Sequence, residues 1–423
     1  MISLASRRLV APLVAVTLLA CAGERRAQNQ NTDQDRYARE VASAVPTIEK
    51  ITGLRFKQPP AYKVRTKAEV RAFVDKMFNE EKPARDLAAQ QTVFRRLGVI
   101  PDTLDLRRLM LDLLSEQMVG FYDPKTKVLY IVEDAPMDQV EFVVQHELVH
   151  ALQDQYMNLD SLLNLKGDDD RALAAQSVME GQAMLVPIQA MLGPGAQLPG
   201  GWDRARDLIR ESQASMPVMA RTPEFMQELI IFPYLSGAEF VRRFQERSPG
   251  RLPYGKDLPT SSTQIMHARA YFDSPRQLPL TIALPTPRVG TATYDNDMGE
   301  FATRVMLYQV LRDQNEAVRA AEGWAGDRYT LLRMPEGDGL AWLTVFDTPV
   351  DAAEFAQALQ DLAAKRYPGA VARKSGMTTR FEAAKRTIAV WGGEVGGHAA
   401  VLYIDVPAGA RTDLFDLSKV HLN

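Results

Sequence analysis

Cysteine is nearly missing from this 423-residue sequence: Cys21 is the only one. No intramolecular disulfide can form, whatever the redox state of the surroundings. Long apolar runs are equally scarce. Residues 9–19 form one, behind Arg7 and Arg8; it is too short to span a bilayer as a stable helix, and no other run approaches that length. A surplus of positive charge is absent too. The 50 basic residues face 53 acidic ones, which offers no broad attraction to nucleic acid. There is no convincing internal repeat and no extended low-complexity tract. Histidine is rare, with five residues at 146, 150, 267, 398 and 421, so their placement carries information.

Two of the five stand one helical turn apart around a carboxylate, in His146-Glu147-Leu148-Val149-His150. At average residue frequencies a chain of this length shows that pattern by chance in well under about one case in twenty. An α-helix puts residues i and i+4 on one face, so both imidazoles can reach a single Zn²⁺ from one rigid element. Glu147 sits roughly 100° around that helix, close enough to take a proton from a zinc-activated water. Val140, Phe142, Val143, Val144, Leu148, Val149, Ala151 and Leu152 make the segment apolar on nearly every face, which predicts a buried helix. Burying two imidazoles and a carboxylate without partners would cost several kcal/mol, and a metal removes that cost.

The first twenty residues read as a targeting segment. Leu18-Leu19-Ala20-Cys21 resembles a bacterial lipobox, which implies cleavage after residue 20 and lipidation of Cys21. The expectation is a protein outside the cytoplasm, on the bacterial cell envelope, held to the membrane through its N-terminal lipid only. If the cell is Gram-negative, it would be periplasmic or outer-membrane facing. Residues 21–35 are polar and without apolar periodicity, as in a flexible tether. Without residues 1–20, 48 basic residues face 53 acidic ones, a net charge of −5. The remaining length is ample for a large core and suggests two domains, 36–290 and 291–423.

Residues 36–116 predict mainly helices, from apolar spacing such as Val70, Phe73, Val74, Met77 and Phe78. Residues 120–132 predict a β-hairpin turning at Asp123-Pro124-Lys125-Thr126, followed by the metal helix over 139–157. If 128–132 were a sheet edge it could pair with an extended peptide; a strand covered on both sides fits as well. Asp168-Asp169-Asp170 suit a helix N-terminus better than calcium, and that helix runs over 171–186. Further helices are expected over 202–213, 223–232 and 237–247, and irregular chain over 251–287. One long helix is expected over 299–321. Strands over 329–334, 340–346, 386–391 and 399–406 and a helix over 351–366 then complete a smaller C-terminal domain. The fold class is α+β: a mainly helical domain with a small β-sheet or hairpin, plus a smaller C-terminal α+β domain.

A catalytic zinc usually takes three protein ligands and one water. Glu180, in Val178-Met179-Glu180-Gly181-Gln182-Ala183, is the preferred third ligand: it is mid-helix, and its small neighbours permit close approach. Asp160 and Asp168–Asp170 are rivals in loop or cap settings that fix a ligand less rigidly. With these residues in place, the sequence resembles the gluzincin group of HExxH zinc metallopeptidases. The strings over 117–130, 146–155 and 180–183 also resemble a set of secreted prokaryotic proteins with predicted peptidase activity. The resemblance covers residues 100–190 well, the stretch to 275 loosely, and the C-terminal domain hardly at all. It implies that the mainly helical domain is a zincin-like metallopeptidase domain, with His146, His150 and Glu180 as ligands and Glu147 as general base. One departure is Met184, where many gluzincins carry an acid that supports a histidine; Asp154, one turn beyond His150, is the alternative support.

The expected activity is hydrolysis of peptide or protein substrates by zinc-activated water, on an envelope-anchored protein. Oxyanion stabilisation calls for a second donor. His267, with Tyr271 one turn on, is the first candidate, as the only other histidine before the C-terminal domain, and Tyr234 is a further choice. His398, amid four glycines, reads as structural. A non-catalytic zincin-like lipoprotein that binds proteins or assists envelope assembly is the alternative, and a zinc hydrolase of non-peptide amides is a third.

Overall fold

In a computed structural model the described residues are 30–133, 137–163, 165–193 and 215–423, together with 201, 204, 207, 210 and 211. The expected signal segment, Cys21 and most of the helix expected over 202–213 lie outside them. Among the described residues no helix is long and apolar enough to cross a membrane. The fold is mixed α+β with a C-terminal β-rich domain.

Helix α1 (Gln30–Thr52) begins inside the span expected as a tether. It is followed by β1 (Ala61–Arg65), α2 (Lys67–Phe78), α3 (Glu81–Leu97) and α4 (Leu106–Gln117). Thr66 and Glu69 form a reciprocal capping box at the start of α2, and Gly98 closes α3 with a left-handed φ of 78°. The predicted hairpin is present as β2 (Gly120–Asp123) and β3 (Val128–Val132). Asp123 shapes its turn, accepting from the Lys125 N–H at 3.0 Å and the Thr126 hydroxyl at 2.8 Å. β1 was not foreseen, and it changes the sheet. It pairs in parallel with β3, giving the order β1-β3-β2. β3 is therefore the central strand, its hydrogen-bonding groups taken on both sides; of the two readings of 128–132, the covered strand holds and the edge awaiting a peptide does not.

Next come α5 (Met137–Tyr156), α6 (Leu159–Leu163), α7 (Asp169–Leu192), α8 (Pro217–Arg221) and α9 (Glu224–Arg247). Two helices were expected where α9 runs unbroken through Pro233. The proline removes one rung of the ladder, but α9 lies along α7 over a long contact that outweighs the loss. Small residues set how close the two helices come. A Cβ on Gly237 would stand 1.9 Å from the Ser177 carbonyl oxygen, and one on Gly181 would stand 2.1 Å from the Gly237 carbonyl carbon. The stretch expected to be irregular holds two five-residue helices, α10 (Ser262–Met266) and α11 (Ala268–Phe272). It also holds β4 (Ile282–Ala283).

The C-terminal part contains β5 (Thr291–Asn296), α12 (Gly299–Leu311), α13 (Gln314–Ala321), β6 (Trp324–Met334) and β7 (Gly337–Phe346). After them come α14 (Pro349–Arg366), β8 (Val371–Ser375), β9 (Thr378–Glu382), β10 (Arg386–Val395), β11 (His398–Pro407) and β12 (His421–Leu422). Seven strands form one antiparallel sheet in the order β5-β6-β7-β11-β10-β9-β8. The single helix expected over 299–321 is two, because Arg312 turns left-handed at φ 61° and Asp313 caps α13 through the Glu316 N–H. Alternation along β7 builds two cores. Leu340, Trp342 and Phe346 face the helices, while Ala341, Leu343 and Val345 face the far side of the sheet.

The first of those cores is continuous across the molecule, running from α2–α4 through α7 and α9 to α12, α14 and one face of the large sheet. Polar ties reinforce it. Asn296 and Asp297 accept from the Asp169 and Asp170 backbone N–H groups at 3.1 and 2.9 Å, anchoring the start of α7. Buried Asp327 accepts from the Met298 and Gly299 N–H groups and from the Trp324 and Trp342 indoles, all at 2.8–3.0 Å.

Candidate metal centre

Helix α5 is buried because it is apolar on most faces: Val140, Val143, Val144, Leu148, Val149 and Leu152 pack with α1 and β3. His146, Glu147 and His150 are fully buried within it. The two imidazoles converge, with Nε2 to Nε2 at 3.1 Å. Glu180 enters from α7, and its Oε2 lies 3.1 Å from His146 Nε2 and 3.3 Å from His150 Nε2. Donors about 2.0–2.1 Å from one tetrahedral metal stand roughly 3.3 Å from each other, so this triangle has the size that fits around a single ion. Glu147 also brings a carboxylate oxygen within 4.8 Å of both imidazoles. That looser spacing, against the tighter one of Glu180, makes Glu180 the closer third donor.

The electrostatics separate the two carboxylates. Burial, then the charge of Glu180, push Glu147 well above the usual carboxylate range, against the Tyr122 N–H that stabilises its anion. That N–H donates to Glu147 Oε2 at 2.6 Å, while Oε1 has no hydrogen-bond partner among the described residues. Burial acts on Glu180 in the same upward sense, but the two imidazoles it meets, His150 first, outweigh it and hold Glu180 at about 2. Burial lowers His146, favouring the neutral ring that a metal requires.

The residue supporting a histidine is not Asp154. That carboxylate accepts from the Tyr122 hydroxyl at 2.8 Å, Lys127 Nζ at 2.6 Å and the Leu159 N–H at 3.2 Å. Gln153 takes the place instead, with its Oε1 2.9 Å from His150 Nδ1. Gln153 was overlooked in the sequence, although it stands at i+3 from His150 and therefore on its face. Aromatic rings flank His146: Tyr234 at 6.1 Å and Phe142 at 6.4 Å between centroids.

His267 and Tyr271 have other surroundings, which do not support the oxyanion role expected of them. His267 Nε2 lies 2.7 Å from Glu300 Oε1 on α12, and the Tyr271 hydroxyl donates to the Asp257 carbonyl. His267 lines a groove of about 750 Å³ with Glu224, Glu228, Ile231, Leu235 and Glu239 of α9. By helical periodicity those positions occupy the face of α9 opposite Gly237, which touches α7. Among the described residues, none of His146, Glu147, His150 and Glu180 lines that groove. His398 opens β11, paired with Val395. Asp168 caps α7 through the Arg171 N–H, while Asp170 accepts from the Ser262 N–H at 3.1 Å. These are bonds that order a helix start.

Residues 287–401 match a family described as a domain of unknown function (DUF8575). No curated protein matches the chain. A crystal structure from Chloroflexus aurantiacus, described as "a putative hydrolase with a novel fold", is similar over 58% of this chain and 91% of that one. Its sequence identity is 18% and its TM-score 0.34.

Proposed function

We propose that this protein is a zinc-dependent peptidase in which His146, His150 and Glu180 hold the ion and Glu147 is the general base. The observation that carries the reading is the donor triangle with edges of 3.1, 3.1 and 3.3 Å, with a fourth, partly unpartnered carboxylate beside it. Zinc bound there would supply Lewis acidity toward a substrate carbonyl and a water that ionises near neutral pH. Glu147 has the properties of a base poised for such a water. Its Oε2 is pinned by Tyr122, Oε1 is left to accept a proton, and burial raises its basicity. It would take one proton from the attacking water at Oε1 and return it to the amine nitrogen as the amide bond breaks. The water oxygen would remain on the new carboxylate.

The substrate class is peptide or protein, in keeping with the gluzincin-like motif. Lipidation at Cys21 would hold the enzyme at the bacterial envelope, facing away from the cytoplasm. The test is metal analysis of the purified protein together with cleavage assays on unstructured polypeptides, comparing wild type with Glu147→Gln. Loss of cleavage with metal retained supports the reading. A wild type that holds zinc yet cleaves no member of a broad peptide library would leave the non-catalytic binding protein in its place.

A further inference from the structure

His150 is held from behind by an amide whose orientation has only one consistent solution. Gln153 is 1% exposed, and its nitrogen lies 3.0 Å from the Met179 carbonyl oxygen and 2.9 Å from Gln182 Oε1. A backbone carbonyl can only accept, so the NH₂ end of Gln153 must face it. Turning the amide over would set Oε1 against two oxygens in a buried site, where an unmade bond costs most. The second amide is fixed in turn: facing the Gln153 NH₂, Gln182 must present Oε1, which also accepts from the Tyr254 hydroxyl. Gln153 Oε1 must therefore face His150, and an amide oxygen only accepts. His150 Nδ1 must carry the proton. The neutral ring is left with its lone pair on Nε2, the nitrogen that meets His146 and Glu180.

We propose that Gln153 is a positioning residue that fixes His150 as its Nδ1-protonated tautomer before any metal arrives. The reference point for that choice is the Met179 carbonyl, on the residue next to Glu180. One side chain thus ties the ring's proton on one donor helix to the backbone of the other. A supporting partner of this kind is usually a carboxylate, a backbone carbonyl or water; the neutral amide here orients the ring without adding negative charge. The consequence for metal affinity rests on the zinc reading above, while the tautomer is a property of the metal-free protein.

The experiment is ¹⁵N NMR of metal-free, histidine-labelled protein at about pH 9, above the ordinary imidazole range. His150 is assigned by its loss in His150→Ala. In wild type it should show the pattern of protonated Nδ1 and bare Nε2. In Gln153→Met, which keeps the volume and removes the acceptor, it should change to a mixture of tautomers. Zinc affinity measured by chelator competition should then fall about 10–100-fold. Tyr254→Phe should move both readouts the same way by less. A wild-type spectrum with protonated Nε2 overturns the proposal without needing any variant to fold, and so does an unchanged tautomer in Gln153→Met. A wild type that shows the expected tautomer yet binds no zinc would overturn the metal reading and leave the tautomer assignment standing.

Discussion

The backbone N–H of Tyr122 donates to Glu147 Oε2 across 2.6 Å, joining the β2–β3 hairpin to α5 at the carboxylate proposed as the base. The contact also decides which oxygen is spoken for, since Oε1 is the one without a partner among the described residues.

Glu147→Gln keeps an acceptor for Tyr122 and removes only the basicity. The variant should fold, retain its metal, and lose about 10²–10⁴-fold in kcat, the usual worth of a positioned general base. Steady-state cleavage of an unfolded polypeptide, paired with elemental analysis of the same sample, checks both halves. Metal loss alongside activity would make Glu147 a ligand.

Glu180 touches both imidazoles from a different helix, so its removal should be felt in metal binding rather than in the proton transfer. Glu180→Ala is expected to weaken zinc binding by more than about 100-fold, beyond what loss of a supporting residue costs. Chelator competition reads this directly, and an unchanged affinity would remove Glu180 from the ligand set.

Gly237→Ala places a methyl 1.9 Å from a carbonyl oxygen that belongs to backbone and cannot swing aside. Overpacking of a core costs about 1–3 kcal/mol, and this collision should reach the upper end, measured as a lowered denaturant midpoint. Ser177 stands three residues before Glu180, so metal affinity should fall as well.

Asp170 is pushed up to about 8 by burial, with nearby Asp327 and Asp168 adding to the shift, despite its bonds from Ser262. Between the ordinary carboxylate range and about pH 8 the native state keeps a proton that the unfolded chain has lost. Stability supplied by this group is therefore full at low pH and declines as pH rises through that window. Chemical denaturation across the window should show the decline, and Asp170→Asn should flatten it.

Cys21→Ser should move the protein from the membrane fraction to the soluble one in a bacterial host. Continued membrane association would contradict lipidation at that residue.

The parts of the fold and site that could be read from the sequence are those written in short spacing. The HExxH helix, the Asp123 turn and the capped start of α7 each depend on residues within a few positions. Glu180 was singled out because Gly181 and Ala183 promised close helix approach. What escaped depends on distant partners. β1 is short and half polar, and it becomes a strand only through β3, more than 60 residues on. Pro233 argues locally for a break that the α7 seam overrides. His267 was favoured for its scarcity, whereas its actual neighbour, Glu300, is contributed by α12. Gln153 carries no charge and no strong propensity, and its importance emerges only when the Met179 carbonyl is placed behind it.

One hydrophobic core runs without interruption from α2–α4 to the large sheet, and Asn296 and Asp297 hold the start of the helix that carries Glu180. Truncation near residue 290 would strip that face of its cover and untie the third donor from its anchor. The half bearing the candidate metal centre should therefore be produced with its β-rich partner attached, because the shortened polypeptide is expected to aggregate rather than fold alone.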